Sequence, residues 1–370
     1  MALRTVKSIL VATFSLFVIL FSNVVIANEP PENNTHQTAE NHKPEKLKPG
    51  KILMEHIADA HDWHLFTWNH THVSIPLPVL LYSPQRGFTA FSSGNFHHGE
   101  HEHNGYKLVE GKVVPVNATG TVDAGVKVYD FSITKNVMQL AISLIILIIV
   151  MLGVAKKYKV TGTTKAPSGF QNAVEPVITF IRDEVGKANL GNRYMKYMPY
   201  LLTVFFFILI NNLFGLIPGS ANVTGNIAFT MVLAIFSFLV ILFSTNKHFW
   251  AHIFWYPGVP MVVRLFIMLP VELLGVFTKP FALMVRLFAN MIAGHMVITS
   301  LILLIFIFGE MSKGVGFGFS PVSLAFVIFI YFIEILVAFI QAFIFTNLTA
   351  VFISQAFEGG HDSHEEKAHH

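Results

Sequence analysis

The sequence predicts an all-α polytopic membrane protein with a small β-rich domain ahead of its spans. Hydrophobic residues make up 53% of the 370 residues and charged residues only 13%, whereas soluble domains carry about 25% charged residues. The apolar residues also fall in runs long enough to cross a bilayer. The chain contains no cysteine, which excludes disulfides and thiolate metal sites.

The first 27 residues have the pattern of a secretory signal peptide. Arg4 and Lys7 precede an apolar stretch at 9–21, and residues 25–27 offer compact side chains for cleavage. An uncleaved first transmembrane helix is the alternative. The acidic, proline-containing residues 28–32 favour cleavage, so we expect the mature chain to begin outside the cytoplasm.

A polar segment follows, and then a region with strand-like patterns. Residues 28 to about 50 have the composition of a disordered lead-in. Beyond them, short alternating or β-branched runs are separated by turn signals. These runs are His64–Trp68, Val73–Leu81, Tyr106–Val109, Lys112–Val116 and Val126–Tyr129. The sequence therefore predicts a β-rich extracytoplasmic domain within residues 28–133.

Residues 134–357 carry five predicted transmembrane helices and an amphipathic connecting helix. The predicted spans are Val137–Val154, Pro199–Leu216, Gly225–Phe243, Val276–Phe308 and Pro321–Phe357. The connector at 155–198 contains eight Lys and Arg residues, whereas the connector at 217–225 contains none. The positive-inside rule therefore puts the first connector and the His-rich tail at 358–370 in the cytoplasm.

The last two apolar runs are too long for upright spans. At 1.5 Å per residue they extend for about 50 and 55 Å, against a hydrocarbon core of about 30 Å. Charged residues lie inside these runs rather than at their ends, which favours tilt over simple extension of the helix ends past the lipid. We predict two long, strongly tilted helices that form a hairpin, with the turn at Gly309–Ser320.

Seven polar or charged residues lie in or beside the hairpin helices. They are Glu272, Lys279, Arg286, Asn290, His295, Glu334 and Gln341. Charged side chains at membrane depth cost several kcal/mol and are typical of ion pathways, proton relays or buried pairs. Snorkelling towards an interface is an equally good interpretation for Glu272 and Lys279, which lie near the start of their helix.

A simple register argument arranges the deeper residues in two layers. Residues at equal depth in an antiparallel pair have a nearly constant sum of residue numbers. Arg286 and Gln341 then share one level, and His295 and Glu334 share another nearer the outer side. At 100° per residue His295 lies on the helix face opposite Arg286.

Such an arrangement suits proton transfer. An arginine cannot be deprotonated in a protein, so at mid-depth it interrupts a proton wire and attracts a carboxylate supplied by a partner. A histidine and a carboxylate can exchange protons through water. No internal repeat supports an autonomous channel or a secondary transporter, although that alternative remains, as does a structural protein whose charges only pair with each other.

Three sequence motifs resemble those of one family. RLFANMIAGH at 286–295, NLFGLIP at 212–218 and QAFIF at 341–345 occur together, and Lys279-Pro280 and Glu272 precede the arginine at similar offsets. Across residues 170 to about 357, this pattern resembles subunit a, also called subunit 6, of F-type ATP synthases.

The resemblance implies a place in a bacterial inner membrane, with a ring of c subunits and the peripheral-stalk b subunits as partners. Arg286 would be the essential arginine that faces the c-ring between two aqueous half-channels. His295 and Glu334 would line the outer half-channel, although many bacterial members have the acid and the histidine exchanged. Asn290 and Gln341 would be polar neighbours of the arginine. Glu272 would belong to the inner half-channel.

Other ligands are expected to be few. No Gly-rich phosphate-binding loop is present, so we expect the chain to bind no nucleotide. We also expect no nucleic acid and no cofactor, and no enzymatic activity of the chain alone. His97, His98, His101 and His103 are weak candidates for a metal site, and a solvated histidine-rich loop is the alternative. The sequence of this chain leaves proton and sodium both open as the transported ion.

Overall fold

The computed structural model describes residues 59–68, 71–99, 101–109, 111–117, 120–123, 125–161, 169–217, 220–245 and 261–358. The predicted signal peptide, the polar lead-in and residues 359–370 of the tail lie outside these ranges. A β-rich part comes first along the chain, and a bundle of long helices follows it.

Seven short strands form the β-rich part as far as the structure describes it. They are β1 (Asp62–Trp68), β2 (Thr71–Pro76), β3 (Pro78–Ser83), β4 (Gly87–Ser92), β5 (Tyr106–Val109), β6 (Lys112–Pro115) and β7 (Tyr129–Asp130). β1 pairs with β2, β5 pairs with β6, and a three-stranded antiparallel sheet has the order β4-β3-β7. Val79, Leu81, Phe96 and Tyr106 fill a small core beneath this sheet.

The predicted strand Val73–Leu81 is wrong as one element, because Leu77 separates β2 from β3. Pro76 and Pro78 flank this residue, and proline has no N–H to donate to a strand ladder. The N–H of Leu77 donates instead to Ser93 Oγ at 2.9 Å.

Two further strand predictions need correction. The predicted strand Val126–Tyr129 contributes only its last residue to β7, because Val126 N donates to Asp123 O in a turn. β4 was not predicted, since its sequence GFTAFS carries apolar residues on both faces and hides the period of two.

Six longer helices follow the β-rich part within the described ranges. They are α1 (Lys135–Thr161), α2 (Phe170–Phe180), α3 (Tyr194–Leu216), α4 (Ile227–Ser244), α5 (Leu269–Met311) and α6 (Lys313–Glu358). A π-helical segment Ile181–Lys187 and short turns of helix join α2 to α3, and another π-helical segment, Arg264–Met268, leads into α5. By length and composition, five helical stretches of the described chain could cross a membrane. The predicted all-α polytopic fold is thus confirmed.

The membrane helices form one bundle. α6 packs against α3, α4 and α5, and α1 packs against α3. The shared core contains Phe205 and Ile208 of α3, Leu287 of α5 and Phe345 of α6. α4 begins where the Asn226 side chain accepts hydrogen bonds from two N–H groups of its first turn, as expected for an N-cap.

The hairpin of α5 and α6 is longer than the sequence predicts. α5 has 43 residues and α6 has 46, so each extends for about 65 to 70 Å at 1.5 Å per residue. The chain reverses inside the predicted turn segment Gly309–Ser320, but the turn is much shorter than predicted, because only Ser312 separates the two helices. Gly309 and Gly316 pack backbone against backbone there, and a side chain at Gly316 would meet the Gly309 Cα at 2.7 Å.

Candidate functional site

α5 has one face in the bundle and one face outside it. Its buried residues are Leu283, Met284, Leu287, Met291, Gly294 and Ile298. Its exposed residues include Ala282, Arg286, Ala289, Ala293 and Val297. The spacing of three and four residues within each set is that of the opposite faces of one helix.

Arg286 lies on the exposed face. Its guanidinium has no hydrogen bond and no salt bridge with any residue that the structure describes. The next residue, Leu287, is fully buried in the bundle core, and this fixes the rotation of α5. The helix therefore presents a permanent cation on its outer surface, away from the bundle core.

An amide pair links the two hairpin helices near the arginine. Asn290, one helical turn beyond Arg286, donates from Nδ2 to Gln341 Oε1 at 2.9 Å. Gln341 is buried on α6. The predicted level of Arg286 and Gln341 therefore agrees with the observed register to within one helical turn.

Glu334 lies against the backbone of α5 at Gly294. A Cβ atom added to Gly294 would overlap all three atoms of the Glu334 carboxyl group, so the carboxyl occupies the space that the glycine leaves. His295, the next residue, is half-buried. The structure thus brings Glu334 to the level of His295, and the Oε2 atom of Glu334 is buried without a hydrogen-bond partner among the described residues.

α3 adds two amides that were not predicted as site residues. Asn212 donates from Nδ2 to the carbonyl of Ala338 at 3.2 Å, and Ala338 lies one turn beyond Glu334 on α6. Asn211 and Asn212 are fully buried, and the described part of the chain offers no partner to either Oδ1 atom. Two consecutive amides within an apolar span were the signal in the sequence, because such groups are costly in lipid.

The connector between α3 and α4 closes the site from one side. Asn222 donates from Nδ2 to the carbonyl of Met291 at 3.3 Å, three residues before Gly294. The Gln139 side chain on α1 bonds with both backbone groups of Ala221, accepting from its N–H at 2.7 Å and donating to its carbonyl. These contacts hold the connector against α5 and α1.

The two remaining predicted residues lie apart from this cluster. Lys279 donates to Gln355 Oε1 at 2.9 Å, and its ammonium lies 5.0 Å from the centre of the Phe352 ring. Glu272 lies in the first turn of α5, about 21 Å before Arg286 along the helix at 1.5 Å per residue. The structure therefore does not bring Glu272 to the arginine.

The histidine-rich segment shows no assembled metal site in the described part of the chain. The side chains of His97 and His98 lie outside that part. His101 is exposed, and His103 Nε2 lies 3.3 Å from Asn95 Nδ2. No group of three His, Cys, Asp or Glu side chains converges among the described residues.

These features define a class of protein: a polytopic helical membrane protein whose longest hairpin carries an exposed cation, a buried carboxyl group and a set of buried amides. Residues 137–354 match the family model described as "ATP synthase A chain". Residues 52–131 match a second model, described as "Domain of unknown function (DUF8433)".

Similar proteins come from several bacteria. The chain is 48% identical over 246 residues to "ATP synthase subunit a" of Chloroherpeton thalassium, covering 65% of this chain and 71% of that protein. It is 45% identical over 251 residues to "ATP synthase subunit a 2" of Prosthecochloris aestuarii, covering 65% and 73%. It is 40% identical over 243 residues to "ATP synthase subunit a" of Anaeromyxobacter dehalogenans, covering 64% and 60%.

The chain belongs to the ATP synthase A chain family. The family model matches more than half of its length, and it includes every helix that contributes to the site. Membership gives the chain a place in the membrane sector of ATP synthase and a general role in proton transport for ATP synthesis.

Proposed function

We propose that the chain is the proton-translocating stator subunit of an F-type ATP synthase and that Arg286 faces the c-ring between two aqueous half-channels. The observation that carries the proposal is the exposed guanidinium on the outer face of α5. An exposed cation at membrane depth is costly in lipid. A ring that brings carboxylates to this face would remove that cost and release each bound proton.

The outer half-channel runs past Glu334, His295 and Asn212. Buried oxygens on Glu334 and Asn212 have no partner among the described residues, and buried polar groups of this kind are normally satisfied by water. Water between a carboxyl group and an imidazole carries protons. Many family members have the acid and the histidine at exchanged positions relative to His295 and Glu334. Either arrangement keeps one carboxyl group and one imidazole in the outer half-channel.

The residues around the arginine have supporting roles. The hydrogen bond between Asn290 and Gln341 holds α5 and α6 together one turn from Arg286. Glu272 belongs to the inner half-channel, because it lies about 21 Å from the arginine towards the start of α5 and away from Glu334. The chain itself hydrolyses no ATP in this scheme, and the b subunits of the peripheral stalk are its second partner.

The chain lies in a bacterial inner membrane in this proposal, with its N-terminal domain in the periplasm and its C-terminus in the cytoplasm. The eight Lys and Arg residues at 155–198 support this orientation. In this proposal the chain has four segments. They are a signal peptide at 1–27, the periplasmic domain at 28–133, the membrane domain at 134–357 and the cytoplasmic tail at 358–370.

Replacement of Arg286 by alanine tests the proposal. ATP-driven proton uptake is measured in inverted membrane vesicles and normalised to the amount of assembled complex. R286A is expected to assemble but to pump no protons. The matched control is K313A, which removes the same charge at the exposed start of α6 and is expected to pump normally.

Two results would contradict the proposal. Normal pumping by R286A would show that the arginine is dispensable. Ion flux through the reconstituted chain without a ring would favour an autonomous channel or transporter.

A further inference from the structure

The sheet β4-β3-β7 has an outer face that is unusually apolar. Tyr82 on β3 pairs directly with Phe88 on β4 and with Tyr129 on β7. The same register continues beyond β7, because Phe131 N donates to Leu80 O at 2.8 Å and Ile133 N donates to Pro78 O at 3.1 Å. Three rows of three residues result, here called the outer sheet face. The rows are Phe88, Tyr82, Tyr129; Ala90, Leu80, Phe131; and Ser92, Pro78, Ile133.

The opposite side of this sheet is already the core of the β-rich part. Val79 and Leu81 are fully buried there. An antiparallel sheet with one face on a core normally has a polar, solvated second face. The outer sheet face instead has no charged residue, and its aromatic residues are exposed by 66% at Phe88, 57% at Phe131, 51% at Tyr129 and 46% at Tyr82. Apolar surfaces of this kind mark binding to a protein or a membrane.

The position of the sheet along the chain favours the membrane. Phe131 lies only four residues before Lys135, the first residue of α1, a distance of at most about 13 Å for extended chain. α1 is the first membrane-spanning helix of the described chain. Lys135 N donates to Ala60 O at 3.0 Å and Asn136 N donates to Asp59 Oδ1 at 3.3 Å, so the residues just before β1 are also bonded to the start of this helix.

The chemistry of the face fits the boundary between lipid headgroups and acyl chains. Tyrosine rings are enriched at that level because the ring is apolar and the hydroxyl reaches water. The Tyr82 and Tyr129 rings lie with centroids 6.4 Å apart and can enter the boundary together. Lys127 is exposed two residues before Tyr129 and can meet lipid phosphate, whereas an acidic residue would be repelled by anionic headgroups.

We propose that the outer sheet face is a lipid-contacting surface that seats the β-rich domain in the interfacial region of the bilayer beside α1. The occupant of the face is the headgroup and upper acyl region of the membrane. The proposal gives a function to the part of the chain that precedes the ATP synthase A chain match, and it does not depend on the orientation of the chain.

Single cysteines test the proposal in the assembled complex, because the chain has no other cysteine. F88C and Y129C carry an environment-sensitive fluorophore in reconstituted vesicles, and each variant is checked for ATP-driven pumping. The control is V122C, which is 46% exposed on the same domain but outside the sheet. Shallow lipid-bound nitroxide is expected to quench the labels at 88 and 129 several-fold more than the label at 122, and aqueous iodide is expected to show the reverse order.

A second pair of variants separates lipid contact from local unfolding. F88E in the Y129C background is expected to weaken lipid quenching at position 129 several-fold, whereas V122E is expected to leave it unchanged. Equal iodide access at 88, 129 and 122 would overturn the proposal in favour of a solvated face. Protection from both quenchers would overturn it in favour of a protein partner.

Discussion

Replacing Gly294 by alanine adds a methyl group where the Glu334 carboxyl lies. The three carboxyl atoms overlap the position of the new Cβ atom, so Glu334 must leave its present site. Overpacking of this kind costs about 1–3 kcal/mol, and the better helix propensity of alanine returns about 1 kcal/mol of this. The net cost of about 0–2 kcal/mol is too small to prevent assembly.

The effect on transport is expected to be larger than the effect on stability. A misplacement of about 1 Å in a reacting group can cost up to about 100-fold in rate. We therefore expect G294A to assemble normally while ATP-driven proton uptake in inverted vesicles, per assembled complex, falls by about 10- to 100-fold. A shortened acid, E334D, in the G294A background is expected to restore part of the rate.

A matched control lies in the same helix. Gly275 is also on α5, and an added Cβ atom there meets nothing within 4 Å. G275A is therefore expected to pump at the unmodified rate. Unchanged pumping by G294A, or equal losses in G294A and G275A, would refute the link between Gly294, the position of Glu334 and transport.

Two further predictions concern contacts outside the hairpin. His61 Nε2 lies 2.6 Å from Asp130 Oδ2, and Nδ1 lies 3.0 Å from the Gly111 carbonyl. Burial opposes the charged imidazole, but the hydrogen bond and charge of Asp130 outweigh it and raise the pKa of His61. Burial likewise opposes the charged carboxylate of Asp130, but the hydrogen bond and charge of His61 outweigh it and lower the pKa of Asp130. The pair should therefore stabilise the β-rich domain fully between about pH 4 and pH 6.5. It should lose this effect as the pH falls through the lowered pKa of Asp130 and as the pH rises through the raised pKa of His61. Replacing His61 by phenylalanine should lower the free energy of unfolding of the β-rich domain by about 1.5–3 kcal/mol. The unmodified domain should lose resistance to protease as the pH rises through the pKa of His61, and the variant should show no such loss. An unchanged pH profile of protease resistance in the variant would contradict this account. Replacing Gln139 by leucine leaves both backbone groups of Ala221 unpaired, at about 1–3 kcal/mol each, so heating should release this subunit from the complex earlier; an unchanged release temperature would contradict the role of the amide.

The sequence was sufficient to predict the membrane spans, because lipid demands long apolar runs whose backbone bonds are satisfied internally. The same requirement explains why the turn predicted across Gly309–Ser320 is confined to Ser312. Glycines weaken a helix in water, but a backbone in an apolar setting gains from remaining helical. The glycines also allow the close approach of Gly309 and Gly316. The glycine-rich composition of residues 309–320 suggested a long turn, whereas the glycines are helical and let the two helices meet closely at Ser312.

The candidate site was predictable where charges stand out against an apolar background. Arg286, His295 and Glu334 were selected as candidates in this way, and the register argument put them near the observed levels. Contacts that depend on backbone atoms were not predictable. Neither the space that Gly294 leaves for Glu334 nor the bond of Asn212 to the Ala338 carbonyl leaves a pattern in residue types.

Cross-linking from the arginine-bearing face of α5 tests the central claim most directly. Ala289 is exposed three residues after Arg286, and A289C introduces a unique cysteine into this cysteine-free chain. We predict that it forms a disulfide with a cysteine placed beside the carboxylate of a c subunit, whereas L152C, exposed on α1, does not. An assembled complex in which A289C fails to cross-link, or cross-links no better than L152C, would contradict the claim that Arg286 faces the ring.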